Sequence, residues 1–210
     1  MRLTLSIASF GRPERTRRAI RAVCAQDCDG WEALIIGDGC PVMQEIIDSK
    51  EFQTEQERME SRGNRLILEN LERNYGGCGY EIINRNIQRA TGAYFNLAAN
   101  DDVLLPNHFS NYLSFVESRP DLDFAYFNSR LDFCNGIRES WLAYGAIGHS
   151  EIIVKTELAK RMPPHSPEYG HDWHFIDNLM KSGAKSEKAI HHPPTYCVKG
   201  TPHCREQGID

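Results

Sequence analysis

The chain has 210 residues, with 24 Lys and Arg against 29 Asp and Glu and a formal net charge of -5. That balance, with no long basic tract, argues against nucleic acid as the main partner, and no apolar run approaches the length of a membrane span. The length suits one α/β domain with a sizeable core, and Met1-Arg2-Leu3-Thr4-Leu5-Ser6-Ile7 is too short and polar for a signal peptide.

Residues 3–8 alternate and predict a first strand, which ends at the turn Ser9-Phe10-Gly11. Arg12-Pro13-Glu14 opens a helix, with proline in its favoured first turn. A second strand over 31–36 ends in Gly37-Asp38-Gly39-Cys40-Pro41. A polar, exposed helix is expected from 42 to about 62, then a short strand at 65–68 and a glycine-rich loop at 74–79. Residues 80–90 read as a helix closed by Thr91-Gly92, and 93–98 as a fourth strand. A helix at 106–118 follows, with a strand at 124–128 and a segment 130–133 that can pair with it. Residues 136–148 read as a loop, 151–154 as a strand, 156 onward as a short helix, 170–182 as a helix and 184–190 as a last extended segment. Strands alternating with helices imply a mostly parallel central sheet with helices on both faces, here with a small antiparallel C-terminal addition. No repeat or long linker divides residues 1–210, so a single domain is expected.

The seven cysteines are scattered. Free thiols in a reducing cytoplasm are the expectation; Cys197 and Cys204 around His203 are a weaker case for a soft-metal site. With no membrane-spanning run, the expected location is cytoplasmic.

Polar clusters fall at the ends of elements. Ser9 to Arg12 follows the first strand, Asp38 ends the second, Asn100-Asp101-Asp102 ends the fourth, and His171-Asp172 opens a late helix. In a parallel sheet the first three share the C-terminal edge, where open α/β sheets bind ligands. Adjacent carboxylates repel, and a hard divalent cation relieves that repulsion while keeping positions open for phosphate oxygens.

These segments carry a resemblance. Ile7-Ala8-Ser9-Phe10-Gly11-Arg12-Pro13-Glu14 resembles the opening motif of glycosyltransferase family 2. Leu34-Ile35-Ile36-Gly37-Asp38-Gly39-Cys40 resembles its second strand, ending in Asp-Asp-Gly-Ser. Asn74-Tyr75-Gly76-Gly77, Asn84-Arg85-Asn86 and Ala90-Thr91-Gly92 are similar to its middle series. Asn100-Asp101-Asp102 falls at its DxD metal motif, and Gly170-His171-Asp172-Trp173 resembles its Gly-Glu-Asp-Trp segment. The chain departs from the pattern at Gly11, Gly37, Asn100 and His171.

The resemblance implies a GT-A (Rossmann-like) fold and a metal-dependent, inverting transfer of sugar from a nucleoside-diphosphate sugar, of UDP or GDP type, to a glycan or other hydroxyl acceptor. Residues 1–102 would form the nucleotide-binding part and 103–210 the acceptor-binding part and tail. Ala8, Ser9, Phe10, Arg12, Asp38, Arg85, Asn100 and Asp101 would contact the donor. Asp102 and the tail histidine His203 would hold Mn²⁺ or Mg²⁺, with His191 and His192 as second choices for the histidine. Asp172 would be the general base, and Trp141, His149, His171 and Trp173 would line the acceptor side. Two rival readings stand beside it. A nucleotidyltransferase also joins a nucleotide-binding sheet to acidic metal ligands, but normally carries a basic glycine-rich N-terminal loop. A non-catalytic sugar-nucleotide or glycan-binding module would bind without turnover.

Overall fold

The computed structural model describes residues 1–131 and 136–198. His203 and Cys204, and with them the expected tail ligand, lie outside the described residues, as does Phe133.

The first half alternates as expected: β1 (Leu3–Ser9), α1 (Pro13–Cys24), β2 (Trp31–Gly37), α2 (Pro41–Ile47), α3 (Lys50–Ser61), β3 (Arg65–Asn70), a 3-10 turn (Gly77–Gly79), α4 (Tyr80–Arg89) and β4 (Tyr94–Ala99). The second half is more broken: β5 (Val103–Leu104), α5 (His108–Glu117), β6 (Phe124–Tyr126), β7 (Ser129–Leu131), β8 (Gly136–Arg138), a 3-10 turn (His149–Glu151), β9 (Ile152–Lys155), α6 (Thr156–Ala159), α7 (His171–Lys181), β10 (Ser186–Lys188) and β11 (Tyr196–Val198).

Among the described residues the main sheet runs β10-β6-β9-β4-β1-β2-β3. Strands β3, β2, β1 and β4 are parallel; β9 lies antiparallel between β4 and β6. Side chains alternate between two cores. Leu3, Leu5, Ile7, Ala33 and Ile35 pack with residues of α1, α2, α3 and α5 on one face. On the other face, Phe95, Phe124 and Ile152 meet Ile83 and Ile87 of α4 and Phe175, Ile176 and Leu179 of α7. A second sheet, β5-β11-β7-β8, sits beside this frame, mostly antiparallel but with β11 and β7 parallel.

Two expectations need correction. The polar helix over 42–62 is two helices, broken at Ser49, whose extended backbone precedes α3 and whose hydroxyl donates to the Ile46 carbonyl at 2.7 Å. Serine competes for backbone groups and so favours helix ends over interiors. Nor is this stretch wholly exposed: Met43, Ile46, Phe52 and Met59 are buried. The segment around β7 does not pair with β6, because β9 and β10 occupy both edges of β6. It turns instead into the second sheet, against β8 and β11.

Candidate active-site cleft

Above the C-terminal ends of β1, β2 and β4 opens a cleft of about 870 Å³. Its walls include Ala8, Ser9, Phe10, Arg12 and Asp38, Asn100 and Asp101 at the tip of β4, and His149, His171, Asp172 and Trp173 from the second half of the chain. The structure thus brings most of the sequence-predicted site residues to one cavity. Trp141, Arg85 and Asp102 do not line it.

Each wall has a local cause. Asp38 is 4% exposed and grips the glycine-rich loop: its Oδ1 accepts from Tyr75 N at 2.9 Å and its Oδ2 from Gly76 N at 3.0 Å. Asn70 ties the same turn from β3, accepting from Cys40 N at 2.9 Å and donating to Cys40 O at 3.0 Å. The loop approaches β1 so closely that a Cβ at Gly79, whose φ is +79°, would meet Ala8 Cβ at 2.5 Å. Glycine is needed there both for the space and for the left-handed backbone.

At the tip of β4, Asn100 Nδ2 donates to Ser9 Oγ at 3.2 Å, and Ser9 Oγ lies 2.7 Å from Thr16 Oγ1. An amide is suited to this position because it donates to the hydroxyl pair and knits β4 to β1 and α1. Asp101 faces a row of cations on α1 and at the turn before it. Arg12 pairs with its carboxylate, Arg15 Nη1 lies 3.5 Å from the same oxygen, and Arg18 Nη2 donates to its carbonyl at 2.9 Å. Arg12 itself holds a left-handed backbone, φ 52°, immediately before Pro13. Such a conformation costs a non-glycine residue about 1–2 kcal/mol, and the ion pair to Asp101 helps to offset it.

Asp102 is buried, and its carboxylate accepts from the Tyr196 hydroxyl of β11. Burial, and then the Asp102 charge, raise the Tyr196 phenol well above its ordinary range, so it stays protonated and donates. Arg85 pairs with Glu81 at 2.9 Å and lies over Tyr75, 5.0 Å from the ring centroid, bracing the glycine-rich loop from outside. Trp141 is 54% exposed and packs under Lys188 Nζ, 3.7 Å from the ring centroid.

Asp172 lies in the first turn of α7. Its Oδ1 accepts from Trp173 N at 2.8 Å, and its Oδ2 lies 3.7 Å from where a Cβ on Gly148 would stand. Glu151, 1% exposed, accepts from Gly148 N at 2.7 Å and from the Ser129 hydroxyl, fixing the floor. Sequence reasoning left several lining residues unassigned. Arg138 approaches Glu151 at 3.8 Å; Tyr144, which the sequence offers with Trp141 and Trp173 as a ring for sugar faces, meets Trp173 edge-on at 6.3 Å. Tyr169 is 91% exposed. Arg15 and Arg18 had a readable signal, since they repeat from Arg12 at helical spacing; Arg138 and Tyr196 sit on strands too short to show one.

Among the described residues, no group of three His, Cys, Asp or Glu side chains is placed to hold a metal ion. A magnesium-like cation beside a diphosphate takes one or two carboxylates and completes its shell with phosphate oxygens and water. Asp101, a hard oxygen donor on the cleft wall, fits that requirement. Among the described residues Cys24, Cys28, Cys40 and Cys78 are free thiols. Among the described residues no helix is long and apolar enough to cross a membrane.

No protein-family model matches the chain, and no curated protein matches it. Solved structures are similar in shape. TarS 1–349 of S. aureus in complex with UDP has a TM-score of 0.75 at 14% identity, over 99% of this chain and 63% of that one. The same TarS fragment with UDP-GlcNAc gives 0.69 at 14% identity, over 96% and 59%. The mannosyltransferase PcManGT from Pyrobaculum calidifontis, in complex with GDP-Man and Mn²⁺, gives 0.63 at 17% identity, over 94% and 56%. This chain spans about three fifths of the length of these structures. The parallel strands, the cleft at their C-terminal ends and these superpositions together give the chain a GT-A-type fold.

Proposed function

We propose that this chain is a glycosyltransferase that moves a sugar from a nucleoside-diphosphate sugar to an acceptor hydroxyl, with inversion and with Mn²⁺ or Mg²⁺. The observation that carries this reading is the meeting of Asp38, Asp101 and Asp172 in one cleft at the C-terminal edge of parallel strands. The nucleotide-sugar complexes of the structural neighbours support it. Residues 1–102 carry the donor half; 103–210 carry the acceptor half.

In this reading the glycine-rich loop held by Asp38 and the β1 tip seat the nucleotide. Carboxylates have spare lone pairs beyond those used by Tyr75 and Gly76 N–H groups, so Asp38 still accepts from a base or ribose. Asp101 would hold the cation, which would supply Lewis-acid stabilisation of the charge that develops on the diphosphate. Arg12 and Arg15 add positive charge at the same place. Asp172 takes the proton of the acceptor hydroxyl as its oxygen bonds to the anomeric carbon. The bond from that carbon to the phosphate oxygen breaks, and nucleoside diphosphate leaves with the electron pair. Phe10, Tyr144, Tyr169 and Trp173 offer ring faces at the cleft for sugar contacts.

The test is product analysis with UDP- and GDP-sugars, with Mn²⁺ and with EDTA. Metal-dependent release of nucleoside diphosphate supports the reading. Release of pyrophosphate from a nucleoside triphosphate makes the chain a nucleotidyltransferase, and metal-independent binding without turnover makes it a binding module.

A further inference from the structure

Three imidazoles from separate segments lie together: His149 and His171 line the cleft, and His165 packs against both outside its lining. His149 and His165 are 3% and 5% exposed. Their rings stack at 5.0 Å, and Phe175 of α7 stacks on them at 4.4 and 5.0 Å. His171, the first residue of α7, places its Nδ1 2.9 Å from His165 Nδ1. The backbone of His165 is clamped from α4, where Asn84 Oδ1 accepts its N–H at 2.7 Å and Asn84 Nδ2 donates to its carbonyl at 2.9 Å. Stack and clamp together fix the His165 ring.

A short contact between two Nδ1 atoms of neutral rings requires one to carry hydrogen and the other to be bare. Both rings are neutral at pH 7. Burial pushes His165 down to about 3 and also lowers His171, against the pull of Asp172 and with the help of His174. If His171 were the donor, His165 would carry its hydrogen on Nε2, which is buried and has no partner. Orphaned buried N–H groups are the rarer kind of unsatisfied group. If His165 donates, its bare Nε2 is the less costly orphan, and His171 carries its hydrogen on Nε2. Among the described residues nothing hydrogen-bonds to His171 Nε2, and His171 lines the cleft beside Asp172.

We propose that His165 is a positioning residue: its Nδ1–H holds His171 as the Nε2–H tautomer, and His171 then donates a hydrogen bond to the acceptor hydroxyl whose proton Asp172 takes. This deepens the glycosyl-transfer reading and rests on it. A hydroxyl oxygen has two lone pairs and one proton. One lone pair accepts from His171, the other attacks the anomeric carbon, and the proton passes to Asp172; His171 keeps its own hydrogen throughout. Histidine serves at 171 because the half-buried imidazole, packed edge-on against His165 and with His174 beside it, stays neutral against the pull of Asp172 and reads a neutral hydroxyl.

The experiment is two-bond ¹H–¹⁵N correlation on histidine-labelled protein at pH 7, with wild type, His165→Phe and His165→Asn. Phenylalanine suits the aromatic stack, and the asparagine amide can place a donor near the Nδ1 position. In the wild type His165 should be the Nδ1–H form and His171 the Nε2–H form. The His171 Nδ1 resonance should move to its unbonded value in His165→Phe and return in His165→Asn. Acceptor transfer should fall about tenfold in kcat for His165→Phe, the worth of one hydrogen bond, with recovery to within about threefold for His165→Asn. Nucleoside-diphosphate affinity should stay level throughout. An Nε2–H His165 in the wild-type spectrum, or equal kcat losses in the two variants, overturns the proposal. The underlying transfer reading fails differently, by absence of nucleoside-diphosphate binding and release in the wild type.

Discussion

Replacing Asp38 with Ala removes the acceptor for two backbone donors, Tyr75 N at 2.9 Å and Gly76 N at 3.0 Å. Hydrogen bonds to a charged group are each worth about 1.5–3 kcal/mol. Water recovers part of this, because Tyr75 and Gly76 are only half-buried, so the net loss should be about 2–4 kcal/mol. For a chain of this size that corresponds to a Tm lower by about 5–15 °C. Asp38→Asn should fall between, since an amide keeps one oxygen for Tyr75 and turns an N–H₂ toward Gly76. The functional effect should exceed the structural one: with the glycine-rich loop released, nucleoside-diphosphate affinity should drop at least about tenfold, a further ~1.4 kcal/mol of binding. Thermal unfolding and calorimetric titration of UDP and GDP measure the two losses separately. A Tm within about 2 °C of wild type, or a destabilised variant with unchanged affinity, would refute the view that this carboxylate builds the donor wall.

Three further outcomes are expected. Asp172→Asn should keep fold and donor affinity but lose transfer by about a hundredfold to ten-thousandfold, measured with the true acceptor; turnover within a few-fold of wild type removes Asp172 as the base. Asp101→Asn should reduce nucleoside-diphosphate affinity in Mn²⁺ to the value in EDTA while leaving the EDTA value level or raised, because Arg12 and Arg15 lose their carboxylate; an undiminished Mn²⁺ effect in calorimetry counts against Asp101 as the ligand. Acid should destabilise the fold early. His108 and His165 are pushed by burial down to about 3, and His149 well below its ordinary value. Their folded-state values lie under the unfolded one, so the stability they contribute is complete above about pH 6.5 and drains as pH falls, at about 1.4 kcal/mol per pH unit for each histidine. Urea midpoints between pH 7 and 5 should show this slope, and His108→Asn should flatten it by about one such share.

The first half of the chain was legible because each element carries its own punctuation. Pro13 starts α1, Gly39 and Cys40 turn after β2, Thr91-Gly92 closes the run after α4, and strand residues such as Leu3, Leu5 and Ile7 alternate. The cleft followed from the same logic, since parallel strands send their C-terminal residues to one edge. What stayed hidden depended on tertiary pairing. Two- and three-residue strands such as β5, β8 and β11 have no room for a period, so the link from Tyr196 to Asp102 had no local sign. Two neighbouring aspartates read alike in sequence, yet Asp101 faces arginines and the cleft whereas Asp102 turns to a buried phenol. Arg85 and Trp141 occupy suitable places in the chain, but each is drawn outward by a partner, Tyr75 or Lys188, that spacing does not reveal.

The insertion of β9 between β4 and β6 also dictates an order of assembly. β1 to β4 need only one another, but β6 is made before either of its neighbours, β9 and β10. During synthesis or refolding β6 therefore waits, and the free edge of β4 stays open until Ile153, Val154 and Lys155 arrive. Such distant pairings are slow to form, and open strand edges invite association with other chains. A chain cut between β6 and β9 would keep its parallel half and expose that edge permanently, giving a self-associating fragment with half a cleft.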